Sequence, residues 1–594
     1  MFKGHPKGLY VAFFANMGER FGFYTMMACL VFFLQAKFGL SADAAGGHYS
    51  NFYFAIYALA LIGGIIADKT KMYKGVIFAG ILIMLLGYIL MATPGLSLTI
   101  TLVALYVIAF GNGLFKGNLQ AIVGQLYDDP KYAKLRDSAF SVFYMGINMG
   151  ALVAPYAANG IRNWFLGTKG YIYDADLPSL AHQMLNGTLG DVSKFQSLAD
   201  KVSGAHVADL TTFAKDYLEV FSTGYNYAFG IAAVSMVISL VVYAIFQKML
   251  PGGKAEKAAN AKVQAEAVPA KPGNIVIALV IGAVVAVGVS YLKDLYSGLA
   301  IGLFASFVAW ITLASTKEEK PKVTSLLLVF GVVIFFWMSF HQNGLTLSFF
   351  ARDYTAKEVG AFTFLFFDFW GMISVLGAII SISVFLGKGA SSKTKMISGI
   401  IALVAIVAAI LRYTSVPDSN PIEPEIFQSF NPIFIVVLTP LVIGLFAWLN
   451  NRKKEPSTPK KIGIGMILAA IGFVIMVWGS FGLASPAELA GSPSPDRISP
   501  YWLINTYLIL TFAELFLSPM GISFVSKVSP VRFHGVMQGG WLLATAVGNK
   551  LLFVGSFMWE KIEIWQVWSI FIVCCLVSAA FIFSIMKRLE KATS

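Results

Sequence analysis

Stretches of about 20 apolar residues recur along the whole chain, each the length of an α-helix that crosses a bilayer. They fall near 9–35, 50–68, 75–93, 97–125, 138–158, 224–248, 274–292, 296–315, 323–350, 360–386, 395–412, 429–449, 462–482, 501–523, 534–557 and 564–588. Lipid offers no partner to an unpaired peptide group, so each stretch must close its own hydrogen bonds as a helix. Sixteen such spans in 594 residues predict an all-α polytopic membrane protein. The charged fraction of 13% agrees, since a soluble domain carries about 25%. The first span is too long for a signal peptide and lacks a small-residue cleavage site, so no cleaved leader is expected. Cys29, Cys574 and Cys575 lie in apolar spans and offer no disulfide framework or metal motif.

The net charge of +13 would fit a nucleic-acid binder, but its distribution does not. The basic residues sit in alternate short loops: Lys3 and Lys7, Lys69 to Lys74, Lys131 to Arg136, Lys248 to Lys271, Lys317 to Lys322, Lys388 to Lys395, Arg452 to Lys461, Lys527 and Arg532, and Lys587 to Lys591. The opposite loops hold few, among them Lys37, Lys293, Arg352, Lys357 and Arg497. This asymmetry orients membrane proteins, with the basic side in the cytoplasm. Both termini are therefore expected to be cytoplasmic, the bilayer is the expected partner, and no nucleic-acid partner is expected.

Three stretches read as additions to a simpler core. Residues 159–223 form an extracytoplasmic insert of short helices, 249–273 a cytoplasmic linker to the span pair 274–315, and 360–412 a second inserted pair. The organisation is then a first six-helix bundle over 1–248, a linker and pair over 249–322, and a second six-helix bundle over 323–594. Two six-helix halves are the layout of the major facilitator superfamily, with the substrate site near the midplane between them.

A few charges interrupt the spans: Glu19 and Arg20, Lys116, and Glu514. A charge at a helix centre costs roughly 2.5–3.5 kcal/mol on insertion scales, so each marks a substrate path, an ion relay or a buried structural pair. Neighbouring helix residues do not face each other, so Glu19 and Arg20 are expected to pair with other helices. Asp368, in the second inserted pair, is expected to be a partnered structural carboxylate. Gly63-Gly64-Ile65-Ile66-Ala67-Asp68-Lys69 resembles the loop signature of the superfamily, with Asp68 either a gating contact or an ordinary helix end.

The ordered motifs sharpen the resemblance. The first span has Asn16-Met17-Gly18-Glu19-Arg20-Phe21-Gly22-Phe23-Tyr24, the fourth Gly111-Asn112-Gly113 with Lys116 and Asn118. The fifth has Arg136-Asp137, Phe140-Ser141, Phe143-Tyr144, Gly146, Asn148 and Gly150. Later come Phe335-Phe336-Trp337, Phe340-His341-Gln342, Asn431-Pro432, Ala513-Glu514 and Trp541. In this order they are similar to the proton-coupled oligopeptide transporter family, whose members import di- and tripeptides. The resemblance implies that Arg20 and Lys116 meet the peptide carboxylate and Glu514 its ammonium. It implies further that Tyr24, Tyr57, Trp337 and Trp541 line the pocket and that Asn148 and Asn431 bond peptide amides. Proton coupling would use Glu19, Arg20 and Glu514. A dipeptide spans roughly 7 Å and a tripeptide about 10 Å when extended, which sets the separation such a pocket needs.

The chain also departs from the family pattern. Asn16 stands for the first glutamate of the motif, Phe23 for its first tyrosine, and Gly117 for a proline. Met27 and His341 stand where the family often has an arginine and a glutamate that can pair. His341 can carry part of the proton coupling, because imidazole titrates near neutral pH, or can be a neutral side chain bonded to a backbone carbonyl. The expected activity is proton-driven peptide symport by alternating access in the cytoplasmic membrane of a bacterium. No cofactor, metal or covalent catalysis is expected. A relative moving another solute, nitrate or an organic anion, and a non-transporting sensor with the same fold are the alternatives.

Overall fold

The structure, a computed structural model, describes residues 4–251, 271–387 and 389–593. Most of the expected linker, with Lys254, Lys257 and Lys262, lies outside the described residues, as do Lys3 and Lys388. Sixteen helices among the described residues are long and apolar enough to cross a membrane.

The first half holds α1 (Gly8–Phe38), α2 (Ala42–Thr70), α3 (Tyr73–Ala92), α4 (Leu98–Gln125) and α5 (Arg136–Thr168). Two short helices follow, α6 (Leu177–Asn186) and α7 (Val192–Ser203), before α8 (Leu210–Phe246) closes the bundle. The pair α9 (Pro272–Leu292) and α10 (Leu295–Ala314) comes next. The second half begins with α11 (Lys320–Phe340), which continues through a 3-10 turn into α12 (Thr346–Asp353). The second pair is α13 (Phe369–Leu386) and α14 (Ser392–Ser415). Then follow α15 (Phe430–Asn451), α16 (Thr458–Ser480), α17 (Tyr501–Val528), α18 (His534–Lys550) with α19 (Phe553–Trp559), and α20 (Ile564–Ser584). Because the number of spans is even, the first span begins and the last ends on one face, here the termini face. The opposite face is the far face.

Local chemistry starts these helices where polar side chains meet apolar runs. Ser41, Ser97, Asp209, Asp294, Asp368 and Ser391 each accept hydrogen bonds from the first free peptide N–H groups of α2, α4, α8, α10, α13 and α14. Gly39, with φ 63°, ends α1 in the left-handed conformation that glycine tolerates best.

Small residues set how close the helices come. A Cβ on Gly63 of α2 would strike the Gly113 carbonyl and Leu114 Cα of α4. A Cβ on Gly150 of α5 would fall 2.8 Å from the Met17 carbonyl of α1. Such approaches hold helices together in lipid, where apolar burial gives no net drive.

Two boundaries differ from the sequence reading. The expected insert 159–223 is shorter, because α5 runs on to Thr168 and α8 begins at Leu210. Asn159, Arg162 and Asn163 lower the local apolarity but stay helical, since partners from the second half satisfy them. Both inserted pairs form: α9 packs along α10 and α13 along α14. Asp368 caps α13 and takes a bidentate pair from Arg412 at 2.8 and 2.9 Å, the partnered role expected of it.

Candidate functional site

On α1, Glu19 and Arg20 are 1% and 4% exposed. Their sequence-based reading needs correction: they bond each other, with Arg20 Nε and Nη2 donating to the Glu19 carboxylate at 2.5 and 2.6 Å. Consecutive helix residues point about 100° apart, yet the long arginine swings back. In an interior without water, the adjacent carboxylate is the nearest compensating charge. Asn112 of α4 adds a third donor to Glu19 at 2.6 Å. The Arg20 guanidinium also lies 4.6 Å from the Phe23 ring centre, so the aromatic face survives the loss of a tyrosine hydroxyl there. Asn16 donates to the Phe143 carbonyl of α5 at 3.4 Å and is a neutral tie between helices.

Lys116 of α4 is placed differently. Its ammonium sits 4.2 Å above the Tyr57 ring of α2. Among the described residues it forms no ion pair within 4.0 Å. An intramembrane cation resting on an aromatic face is held in position while keeping its charge available for an anion. Asn118, two residues further on, ties α4 to α2 by donating to the Gly63 carbonyl at 3.1 Å. Gly117 leaves α4 continuous through this region. Asn148 of α5 is 6% exposed and donates to its own helix at Tyr144.

The second half contributes a carboxylate. Glu514 of α17 accepts from Asn431 Nδ2 of α15 at 2.9 Å, and the same amide reaches Thr511 at 3.1 Å. His341, at the end of α11, bonds the Asn549 side chain of α18 at 2.5 Å, a side-chain amide where a backbone carbonyl was one expected partner. Its ring stacks on Trp337, 4.7 Å between centres, and lies 4.8 Å from Tyr53 of the first half. Trp541 is 4% exposed, packed near Phe330 and over Gly521.

These groups meet between the halves. Tyr24 and Tyr57 lie within electrostatic reach of both Arg20 and Glu514. Lys116 is within reach of Arg20, Glu19 and His341. Tyr144 is within reach of Glu514 and Tyr24, and its side chain is 45% exposed. Asp68 stands apart at the termini face, bonded by the Tyr73 hydroxyl at the start of α3 within its own half. Asn112, Tyr144, Thr511 and Asn549 join the cleft through Glu19, Glu514, Asn431 and His341, although no role was expected of them. For Asn112 and Asn549 a signal was present, a polar side chain inside an apolar span. Tyr144 stood in the fifth-span motif without a function.

A sequence model of the POT family matches residues 74–389 and 413–565. The chain belongs to the POT family. The unmatched interval between those segments falls on α14, and the first-span motif precedes the matched residues. The chain is 26% identical to the Uncharacterized transporter YclF of Bacillus subtilis over 94% of its length and 89% of the relative's. It is 26% identical to a di-/tripeptide transporter of Lactococcus lactis subsp. cremoris, over 93% and 89% of the two chains. Among solved structures, a peptide transporter POT in complex with sulfate superposes with a TM-score of 0.65 at 23% identity, covering 100% of this chain and 96% of that one. A POT family transporter in complex with 5-aminolevulinic acid gives 0.64 at 22% identity, covering 100% and 98%. These likenesses establish the two-bundle fold and the family of this POT chain.

Proposed function

We propose that the protein imports di- and tripeptides across the cytoplasmic membrane by alternating access, driven by protons. The observation that carries this reading is Lys116, a cation without an ion-pair partner among the described residues, in the same cleft as Glu514 of the other half. A peptide zwitterion matches that polarity, with its carboxylate on Lys116 and its ammonium on Glu514. Tyr24, Tyr57 and Trp337 give the apolar walls between, and Asn148 and Asn431 reach the peptide bond. Relatives described as di-/tripeptide transporters support the same substrate class.

Coupling follows from the charge balance. While Glu19 is ionised it occupies Arg20 through two hydrogen bonds. A proton on Glu19 frees the guanidinium, which then joins Lys116 as a second anchor for the carboxylate. A proton on Glu514 weakens the ammonium site. Binding of proton and peptide thus favours one arrangement of the halves over the other, by as much as their affinities for the two differ. The excess of basic residues on the termini face orients that face to the cytoplasm. No covalent step is involved.

Asn16 favours a second reading. With a neutral amide where the family has a carboxylate, one titratable group is gone, as in a carrier of another anion. Uptake of labelled dialanine and of labelled nitrate, each with the other unlabelled as competitor, decides between them: dialanine uptake that nitrate does not inhibit supports the peptide reading, and nitrate uptake without dialanine uptake overturns it.

A further inference from the structure

The two halves are also joined at the far face by a buried charge cluster that the central site does not use. Arg162 of α5, fully buried, donates to Glu425 and, at 2.8 Å, to Glu423 on the segment that leads into α15. Tyr225 of α8 donates to Glu425 at 2.8 Å. Asn159 and Asn163 of α5 add bonds to Glu425 and Glu423. The guanidinium lies 3.9 Å from the Tyr173 ring centre. Every donor comes from the first half and both carboxylates from the second.

A second tier surrounds this cluster nearer the surface. Lys357, of the second half, pairs with Asp176 at 2.6 Å and with Asp174 at 3.4 Å. Arg497 pairs with Asp176 at 3.2 Å, and Gln183 of α6 bonds the Gly491 carbonyl at 2.9 Å. The insert thus reaches across to the other half. Meanwhile Met27 is buried and apolar, and His341 bonds within its own half, so no charge joins α1 to α11 at those positions.

We propose that Arg162, Glu423, Glu425 and Tyr225 form the far-face gate of the transport cycle, with the α6–α7 insert as its rim. This rests on alternating access as read above. A buried pair of opposite charges is costly to leave half-made, so parting the halves must release all of these bonds together, into water that enters from the far face. The gate therefore behaves as a switch with closed and open positions, and its strength sets the balance between the two cleft orientations.

Two thiols read this balance without any peptide. Cys29 of α1 is buried within electrostatic reach of Glu425, Glu423 and Arg162. Tyr144 lies 45% exposed in the part of α5 nearer the termini face, and Tyr144→Cys places the second thiol there. The experiment follows maleimide labelling of purified protein in detergent, with Cys574 and Cys575 replaced by serine and either Cys29 alone or Tyr144→Cys alone as the target. Arg162→Gln is expected to raise the Cys29 rate and lower the Tyr144→Cys rate, each by about tenfold, because one equilibrium governs both. Glu423→Gln, a milder change at a partly exposed carboxylate, is expected to move both rates in the same directions by less. Unchanged rates in both variants would overturn the proposal, and so would a rise at both thiols, which is the mark of local loosening. Reciprocal labelling in a protein that takes up no dialanine would overturn the substrate reading and leave the gate standing.

Discussion

At the scale of single residues, the central claim is a division of labour among charges. Lys116 is held by an aromatic ring and Glu514 by an amide, and neither pairs with an opposite charge within 4.0 Å among the described residues, which leaves both for a ligand. Glu514→Gln is expected to raise the KM for dialanine by about 10- to 100-fold, the range that loss of one charge-assisted hydrogen bond gives. Uptake of N-acetyl-dialanine, which has no ammonium, measured beside it should be poor in both proteins. His341→Gln is expected to leave the pH dependence of uptake in place, because the partner of His341 is an amide and its faces are covered by Trp337 and Tyr53. A flattened pH profile would return His341 to the relay. The sequence marked most of these residues because a charge or amide inside an apolar span is conspicuous. It could not show that Arg20 folds back on Glu19. Helix spacing reports where side chains start, and a long side chain in a dry interior ends where the nearest opposite charge is.

At the scale of elements, the close crossings make sharp predictions. Gly63→Ala should destabilise the protein by about 1–3 kcal/mol, since the new methyl would overpack the α2–α4 contact. Gly64→Ala has open space and should be neutral or slightly stabilising, as alanine is the better helix former. Thermal unfolding of the two variants in detergent compares them directly. A second contact anchors the α9–α10 pair to the second half: Arg532, just before α18, donates to Glu319 and, at 2.9 Å, to the Ala314 carbonyl. The hydrogen bonds from Arg532, against the opposing effect of burial, hold the Glu319 carboxyl at about 2. Its folded value is depressed, so its contribution is present above the ordinary value of 4.5 and is lost as the pH falls through about 2. Glu319→Gln should cost about 1 kcal/mol at neutral pH, as both groups keep some solvent contact. The difference from the parent in melting temperature should shrink as the pH is lowered through that window. Span number and order were legible because a bilayer demands about 20 apolar residues per helix. The ends of α5 and α8 were not, because Arg162 and its neighbours are made tolerable only by Glu423 and Glu425, 261 and 263 residues away.

At the scale of the whole molecule, three features combine: a central cleft between the halves, a buried charge cluster that joins them at the far face, and opposed charges in the cleft. Membership of the POT family fixes the frame, and the charges decide what the frame can carry. The most direct test is uptake of labelled dialanine into proteoliposomes, with and without an imposed inward proton gradient, beside Lys116→Ala. Gradient-driven accumulation is expected of the parent protein, and loss of accumulation to background of the variant. Accumulation that is indifferent to the gradient, or that survives removal of Lys116, would contradict this expectation.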